Sequence, residues 1–275
     1  MTVTITALCG ADPKTQTGSF IMCADTLVTF CSSGVPVSGN QDGTKIYDLP
    51  HGFYVAIADD ISRSHQVVSH LYKEMEQFDA ADPRILDLTK LAIDRTAEYV
   101  RIWMRREVLA EYGVSLTEFL EAPQLAVRSE VANEIKTRVI STQLTIAGFG
   151  YKGNPILLFT DCVNTQEQTN PGFFCGGAGM GAALDWLNFR EQKCFLSLPR
   201  TFYHVREAKQ YAEVSPVVGG RNHTLLLRHG KPMVNVSDVR PILQEWVNHM
   251  YPRETVALDK PSAWDRFAAD YTIVD

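Results

Sequence analysis

Few of the patterns that assign a function by themselves occur in this sequence of 275 residues. None of the six cysteines belongs to a CxxC pair, no Cys/His cluster has zinc spacing and no HExxH motif is present, so no metal or cofactor is predicted. No apolar run approaches the ~20 residues that a membrane-spanning helix needs. The amino terminus has no basic segment followed by an apolar one, so we predict no secretory signal.

Positive charge is also scarce, because 26 lysines and arginines stand against 32 acidic residues and the net charge is −6. A general nucleic-acid binder carries a basic face, so neither nucleic acid nor an anionic membrane is a predicted partner. Most cysteines stand in apolar runs such as "IMCAD" and "FFCGG", which is typical of buried, reduced thiols. We therefore expect a cytoplasmic protein. The cysteines are Cys9, Cys23, Cys31, Cys162, Cys175 and Cys194.

Short runs of β-branched and apolar residues, separated by turns, are abundant and predict strands. The segment 32–44, which is rich in Gly, Ser and Asn, is predicted as a loop. The predicted strands form two hairpins before residue 59 and return after the middle of the chain. They are 2–9, 19–25, 45–49, 52–58, 141–150 and 155–161, together with parts of "GFFCGG", "HTLLLRHG" and "PMVNV".

Helical periodicity occupies the middle of the chain. Asp82 is the predicted N-cap of the longest helix. Ser115 and Glu118 have the spacing of a capping box, and Pro123 is the predicted break in the helical segment that they open. The predicted helical segments are 61–78, 82–111, 115–138, the end of "GGAGMGAALDWL", "REAKQYAEV" and "SDVRPILQEWV".

This order of elements predicts the fold class. Short turns connect consecutive strands, so the strands pair antiparallel, and one arrangement that buries both groups of strands is a pair of sheets between helix layers. We therefore predict an α+β fold, a four-layer αββα sandwich, in a single domain over 1–275. The helices near 115–138 form an insertion, and an appendage begins at about 238.

Thr2 is the first candidate for chemistry. Removal of Met1 would leave a threonine whose α-amine can take the proton from its own hydroxyl, because the pKa of such an amine is close to neutrality. Asp25 ends the second predicted strand and Lys45 opens the third. A lysine beside the hydroxyl favours its ionised form, and an aspartate keeps that lysine oriented and charged. Each residue also has a plainer interpretation, as a strand start, a loop residue and an edge-strand charge.

In their order along the chain and in their residues, these segments resemble the proteasome β subunits and their bacterial relatives, the N-terminal-nucleophile (Ntn) hydrolases. The resemblance covers roughly 2–78 and 141–228. It implies the Ntn type of four-layer fold, a threonine-protease activity and a homo-oligomeric assembly. The runs that carry it are "MTVTITALCG", "GSFIMCADT", "KIYDLPHGFYVAIAD", "LTIAGFGYKGNPILLFTD" and "GGAGMGAALDWL".

By position, Thr2 matches the nucleophile of that family, Asp25 its buried aspartate and Lys45 its lysine. The resemblance also implies that the backbone N–H groups at Asp59 and Gly179 bind the oxyanion.

Four positions depart from the family pattern. Met180 stands where the glycine-rich turn has a serine, and Ser215 and Val218 stand where the family has an aspartate and a serine. Asp59 replaces a glycine, which a backbone donor does not require. Ser215 is the candidate for a partial replacement of the missing hydrogen-bonding side chains.

The leading hypothesis is a proteasome-like hydrolase that cleaves peptide or other amide bonds through an acyl-enzyme on Thr2. The alternative is a non-catalytic scaffold or assembly subunit of the same fold, and a third hypothesis is a small-molecule amidase. The glycine-rich turn 176–181 lacks a P-loop lysine, so nucleotide binding is not predicted. Asp59 and Asp60 are interpreted as helix caps and not as a metal pair.

Overall fold

The computed structural model describes residues 3–12, 17–32, 35–40, 43–58, 61–79, 81–121, 127–137, 142–215 and 218–236. The strands in these ranges are β1 (Thr4–Asp12), β2 (Thr17–Asp25), β3 (Val28–Ser32), β4 (Val35–Asn40), β5 (Ile46–Leu49), β6 (Phe53–Ala58), β7 (Gln143–Phe149), β8 (Pro155–Thr160), β9 (Thr165–Glu167), β10 (Phe173–Gly176), β11 (Asn222–Arg228) and β12 (Val234–Asn235). The α-helices are α1 (Ile61–Glu76), α2 (Ile85–Glu111), α3 (Leu116–Glu121), α4 (Arg128–Thr137), α5 (Met180–Phe189) and α6 (Leu198–Ala212).

Ten of these strands form two five-stranded antiparallel sheets, which agrees with the predicted α+β class. The first sheet has the order β10-β1-β2-β11-β12, so it joins strands from both ends of the described chain. The second sheet has the order β5-β6-β7-β8-β9, in which every strand pairs with its neighbour in sequence. The strands β3 and β4 pair with each other as a separate ribbon.

The first sheet is buried on both faces, as the alternation of side chains along β1 shows. Ile5 and Ala7 are buried in an apolar cluster with residues of α5 and α6. Leu8, the next residue, points to the other face. It belongs to a cluster that includes Ala147 and Leu157 of the second sheet. The two sheets therefore share one apolar cluster, and α5 and α6 pack on the opposite side of the first sheet.

The second sheet has a further apolar cluster with α1 and α2. Val55 and Ile146 of the sheet are buried with Leu71 of α1 and Ile93 of α2. Full burial of each such side chain contributes about 1.5–3 kcal/mol to folding. The long helix α2 thus packs an apolar stripe against the sheet and α1, and near its end Val108 and Leu109 pack with Val131 of α4. Its remaining residues are exposed or half-buried.

Several sequence predictions are confirmed. The β1–β2 and β5–β6 hairpins form as expected, and a glycine-rich turn leads from β10 into α5. The capping box is also present: the backbone N–H of Ser115 donates to Glu118 Oε2 at 2.8 Å, and the backbone N–H of Glu118 donates to Ser115 Oγ at 3.1 Å.

Three sequence predictions were wrong in detail. The segment 32–44 is not simply a loop, because it contains β4 and the last residue of β3. The helix expected at Asp82 begins three residues later, at Ile85, although Asp82 Oδ1 accepts from the backbone N–H of Arg84 at 2.8 Å, as a capping side chain does. The helix expected over 206–214 begins eight residues earlier, at Leu198.

The thiols Cys9, Cys23, Cys162 and Cys175 are buried and form no disulfide among the described residues, as predicted. Burial raises the pKa of each of them, and that of Cys162 to about 11. These thiols are therefore unreactive near neutral pH. Cys194 is half-buried, and the side chain of Cys31 lies outside the described residues. The appendage predicted from about 238, the break at Pro123 and the cap at Asp60 also lie outside them.

Candidate functional site

Asp25 is the last residue of β2 and is only 1% exposed. Its strand lies between β1 and β11, and Asp25 pairs with Asn222 at the end of the β2–β11 ladder. Ile21 and Cys23 of the same strand are buried in the cluster with α5 and α6. Because side chains alternate along a strand, Asp25 lies on that same face. The strand is apolar just before this point and ends with a buried carboxylate.

Both carboxylate oxygens of Asp25 accept hydrogen bonds. Oδ1 accepts from the backbone N–H of Val3 and from Lys45 Nζ, each at 2.9 Å. Oδ2 accepts from the backbone N–H of Gly219 at 3.0 Å. Three donors that are distant from one another in the sequence therefore fix one buried carboxylate. Their hydrogen bonds offset the free-energy cost of burying its charge.

Lys45 precedes β5 and is as deeply buried as Asp25, at 1% exposed. Its backbone carbonyl accepts from the N–H of Ile57 at 2.8 Å, which anchors the residue to β6. Its Nζ also donates to the backbone carbonyl of Leu27 at 2.5 Å. Burial lowers the pKa of Lys45, the adjacent Asp25 carboxylate opposes this shift, and the charge of Lys209 adds to the lowering.

Lys209, on α6, is a second buried lysine at this site and is also 1% exposed. Its Nζ donates to the backbone carbonyl of Gly219 at 2.5 Å and to Glu213 Oε1 at 2.6 Å. The peptide groups of Gly219 thus link two lysines: its N–H donates to the carboxylate that Lys45 binds, and its carbonyl accepts from Lys209.

Gly219 occupies a position that no larger residue fits. A Cβ added there would lie 2.5 Å from Leu27 Cβ and 3.2 Å from Leu27 N. The absence of a side chain lets the backbone of Gly219 approach both Leu27 and the Asp25 carboxylate. The neighbouring Gly220 has no atom within 4 Å of the equivalent Cβ position.

The other residues predicted for support surround the start of β1. Gly179 is the N-cap of α5, and a Cβ there would lie 3.0 Å from Val3 Cβ and from Val218 Cγ2. Val218 is buried in the apolar cluster of α5 and α6, and Met180 packs against that cluster. The backbone carbonyl of Ser215 accepts from the N–H of Val218 at 3.0 Å, which closes the turn after α6.

Of the predicted site residues, the structure brings Asp25 and Lys45 into direct contact and places Gly179 beside Val3. Thr2 and Asp59 lie outside the described residues. Within the part of the chain that the structure describes, no group of three or more His, Cys, Asp or Glu side chains could hold a metal ion. The same part contains no helix that combines the length and apolar character needed to cross a membrane.

Comparison with known proteins does not assign the chain to a family. No protein-family model matches the chain, and no curated protein matches it.

Sequence reasoning missed Lys209 and Gly219. Lys209 had a detectable signal, because it lies on the stripe of α6 that also contains Val205, Ala208 and Ala212, where an apolar residue is typical. Gly219 had a weaker one, the pair of glycines after "SPVV". Nothing in the sequence indicates that its two peptide groups contact residues on β2 and α6.

Proposed function

We propose that the chain is a proteasome-like Ntn hydrolase that cleaves peptide or other amide bonds through an acyl-enzyme on Thr2. The observation that carries the proposal is the buried Asp25 carboxylate, which binds both Lys45 Nζ and the backbone nitrogen of Val3 at 2.9 Å. The Val3 nitrogen is covalently bonded to the carbonyl carbon of residue 2. The lysine–aspartate pair is therefore anchored to the peptide bond that follows the proposed nucleophile.

The layered packing supports the same proposal. The helices α5 and α6, the first sheet, the second sheet, and the helices α1 and α2 follow one another through three apolar clusters. This succession is the one expected of a four-layer αββα sandwich of the Ntn type. The proposal keeps the cytoplasmic setting that the sequence predicts and the homo-oligomer that the resemblance implies, with a peptide or another amide as substrate and no cofactor.

The proposed reaction begins with attack by Thr2 Oγ on the carbonyl carbon of the amide. The free α-amine of Thr2 accepts the hydroxyl proton and passes it to the departing nitrogen as the C–N bond breaks. Lys45 favours the ionised hydroxyl, and Asp25 orients Lys45. Backbone N–H groups at Gly179 and Asp59 stabilise the oxyanion. Water then hydrolyses the ester, which releases the acid and restores the hydroxyl.

Mass spectrometry and covalent labelling test this proposal together. Intact mass should show that Met1 is absent, and a β-lactone or epoxyketone should label Thr2 in the purified full chain. Thr2→Ala should abolish labelling, and Lys45→Met should slow it by about 100-fold or more, the usual effect of removing one group that stabilises a developing charge. Retention of Met1, or labelling that persists in Thr2→Ala, would contradict the proposal.

The scaffold alternative has one specific observation in its favour. Val218 and Met180, which replace hydrogen-bonding serines of the resembling family, are both part of the apolar packing around α5 and α6. They therefore supply no polar group there. A chain that loses Met1 and still resists every threonine-directed electrophile would favour this alternative over the hydrolase.

A further inference from the structure

A cavity of about 610 Å³ lies among three tight turns, at the opposite end of β2 and β11 from Asp25. We call it the turn cavity. Two of the turns are the 3₁₀ turns Pro50–Gly52 and Tyr151–Gly153, which connect β5 to β6 and β7 to β8. The third follows Arg228 at the end of β11. Arg228 lies six positions along β11 from Asn222, the residue beside Asp25, which corresponds to about 20 Å.

The lining of the turn cavity is basic, although the protein as a whole carries a net charge of −6. No Asp or Glu is among the described residues that line it. The nitrogen-bearing side chains that line it are His51, Lys152, Arg228, His229 and Lys231. Three of them, Lys152, Arg228 and Lys231, are cations at neutral pH, and from two separate turns they make a local positive potential that attracts anions.

One of these groups has an unmet hydrogen-bonding requirement. The Nε of Arg228 is buried and has no hydrogen-bond partner among the described residues. That nitrogen has almost no accessible surface, so a ligand would contact the part of Arg228 that lines the cavity. The guanidinium also presents donors in a planar fork, which suits phosphate and carboxylate oxygens.

Two lining residues adopt a backbone conformation that L-residues rarely use. His51 has φ +63° and Lys152 has φ +58°, and each is followed by a glycine of positive φ in the same kind of turn. Asn or Asp is the residue typical of that position. His51 is further fixed by a contact of its Nε2 with the backbone carbonyl of Met75 at 2.9 Å.

The wall of the turn cavity is aromatic as well as basic. Phe149 contacts the His229 ring edge-to-face, with 5.7 Å between ring centroids. Tyr54 also lines the cavity, and burial, with the charge of Asp48 as a smaller cause, raises its pKa, so its hydroxyl remains a hydrogen-bond donor. An organic anion with a ring would find both a charged and an apolar surface here.

We propose that the turn cavity binds a small phosphate monoester that carries an aromatic or apolar group. Its phosphate accepts hydrogen bonds from Arg228, Lys152 and Lys231, and its apolar group packs against Phe149 and Tyr54. The site is independent of the proposed hydrolase activity, because it shares no residue with the Asp25–Lys45 pair.

Isothermal titration calorimetry of the purified full chain with phenyl phosphate tests the proposal. Saturable binding is expected, tighter than that of inorganic phosphate because of the ring contacts. The double variant K152Q/K231Q, at two exposed residues, should bind about tenfold or more weakly, because it removes two of the charged donors to the phosphate. Arg228→Lys should also weaken binding, because it keeps the charge and removes the planar fork.

The matched control is R105Q/R106Q. It removes two exposed arginines of α2, twenty residues beyond Ile85, which corresponds to about 30 Å along the helix. Ile85 is near the cavity, because its Cγ2 lies 2.9 Å from where a Cβ on Gly150, a lining residue, would stand. No saturable binding at millimolar phenyl phosphate, or equal weakening in both double variants, would overturn the proposal. Sedimentation with vesicles that contain a phosphomonoester lipid, without binding of phenyl phosphate, would assign the cavity to a headgroup instead.

Discussion

Asp25 is fixed by partners that are remote in sequence. Its donors belong to Val3, Lys45 and Gly219, and the last of these is 194 residues away. Removing one member of a buried ion pair commonly costs about 3–5 kcal/mol, because the other charge stays buried. The peptide groups of Gly219 extend this network to Lys209 and Glu213. The geometry of the proposed nucleophile therefore depends on the turn after α6.

Gly219→Ala tests that dependence at a single residue. Its Cβ would stand 2.5 Å from Leu27 Cβ, so the backbone must move away from Asp25 Oδ2. We expect a loss of about 1–3 kcal/mol in the free energy of unfolding, as for overpacked interiors, and slower labelling of Thr2. Urea unfolding monitored by circular dichroism measures the first effect.

Gly220→Ala is the matched control, since nothing lies within 4 Å of its Cβ position. It should leave the free energy of unfolding within about 0.5 kcal/mol of wild type. Equal effects of the two substitutions would show that the close contact at Gly219 is not what holds the turn.

At the level of elements, the capping box determines where α3 begins. This helix has six residues and none of them is buried, so little tertiary packing supports it. Ser115→Ala removes the hydroxyl that accepts from the N–H of Glu118, and such caps contribute about 0.5–2 kcal/mol. We expect faster amide hydrogen exchange confined to α3, with little change in global unfolding.

Thr117→Ala, at an exposed residue of the same helix, is the control for that substitution. It should leave the exchange rates of α3 nearly unchanged. A global loss of stability in Ser115→Ala would mean instead that α3 supports the long helix α2.

Local signals in the sequence predicted the elements that local chemistry determines. The β5–β6 hairpin and the capping box at Ser115 were predicted correctly because a few adjacent residues specify them. The Oδ1 of Asp82 accepts from the backbone N–H of Arg84 as a cap does, but the regular helix α2 begins three residues later, at Ile85. Val35–Asn40 was missed as a strand because Pro, Ser and Gly in it are poor strand formers. The roles of Lys209 and Gly219 depend on contacts between distant elements, which no short pattern reports.

At the scale of the whole molecule, His204 on α6 makes the free energy of unfolding depend on pH below neutrality. Its Nδ1 lies 2.8 Å from Oε1 of the buried Gln192. Burial, with smaller contributions from Arg200 and Arg190, lowers its pKa from 6.5 to about 4. As pH falls between these values, the unfolded chain gains a proton that the folded chain does not bind. The free energy of unfolding should therefore decrease by up to about 3 kcal/mol over that window.

Urea unfolding at steps of pH from 6.5 down to 4 checks this expectation. His204→Gln should be less stable at neutral pH, because it disturbs the Gln192 contact, but its stability should decline less steeply with acid. His65→Gln, at an exposed histidine of α1, is the control and should keep the wild-type slope. An unchanged slope in His204→Gln would assign this pH dependence to another group.

The order of strands in the first sheet has a consequence for synthesis on the ribosome. Thr4 pairs with Gly176, and Asp25 pairs with Asn222, so β1 and β2 emerge long before their outer partners. At about 5–20 residues per second, the 194 residues between Asp25 and Gly219 take about 10–40 s to make. The second sheet can close during that interval, because its strands are neighbours in sequence. The β1–β2 hairpin meanwhile keeps two open edges, which are sites for pairing with other nascent chains.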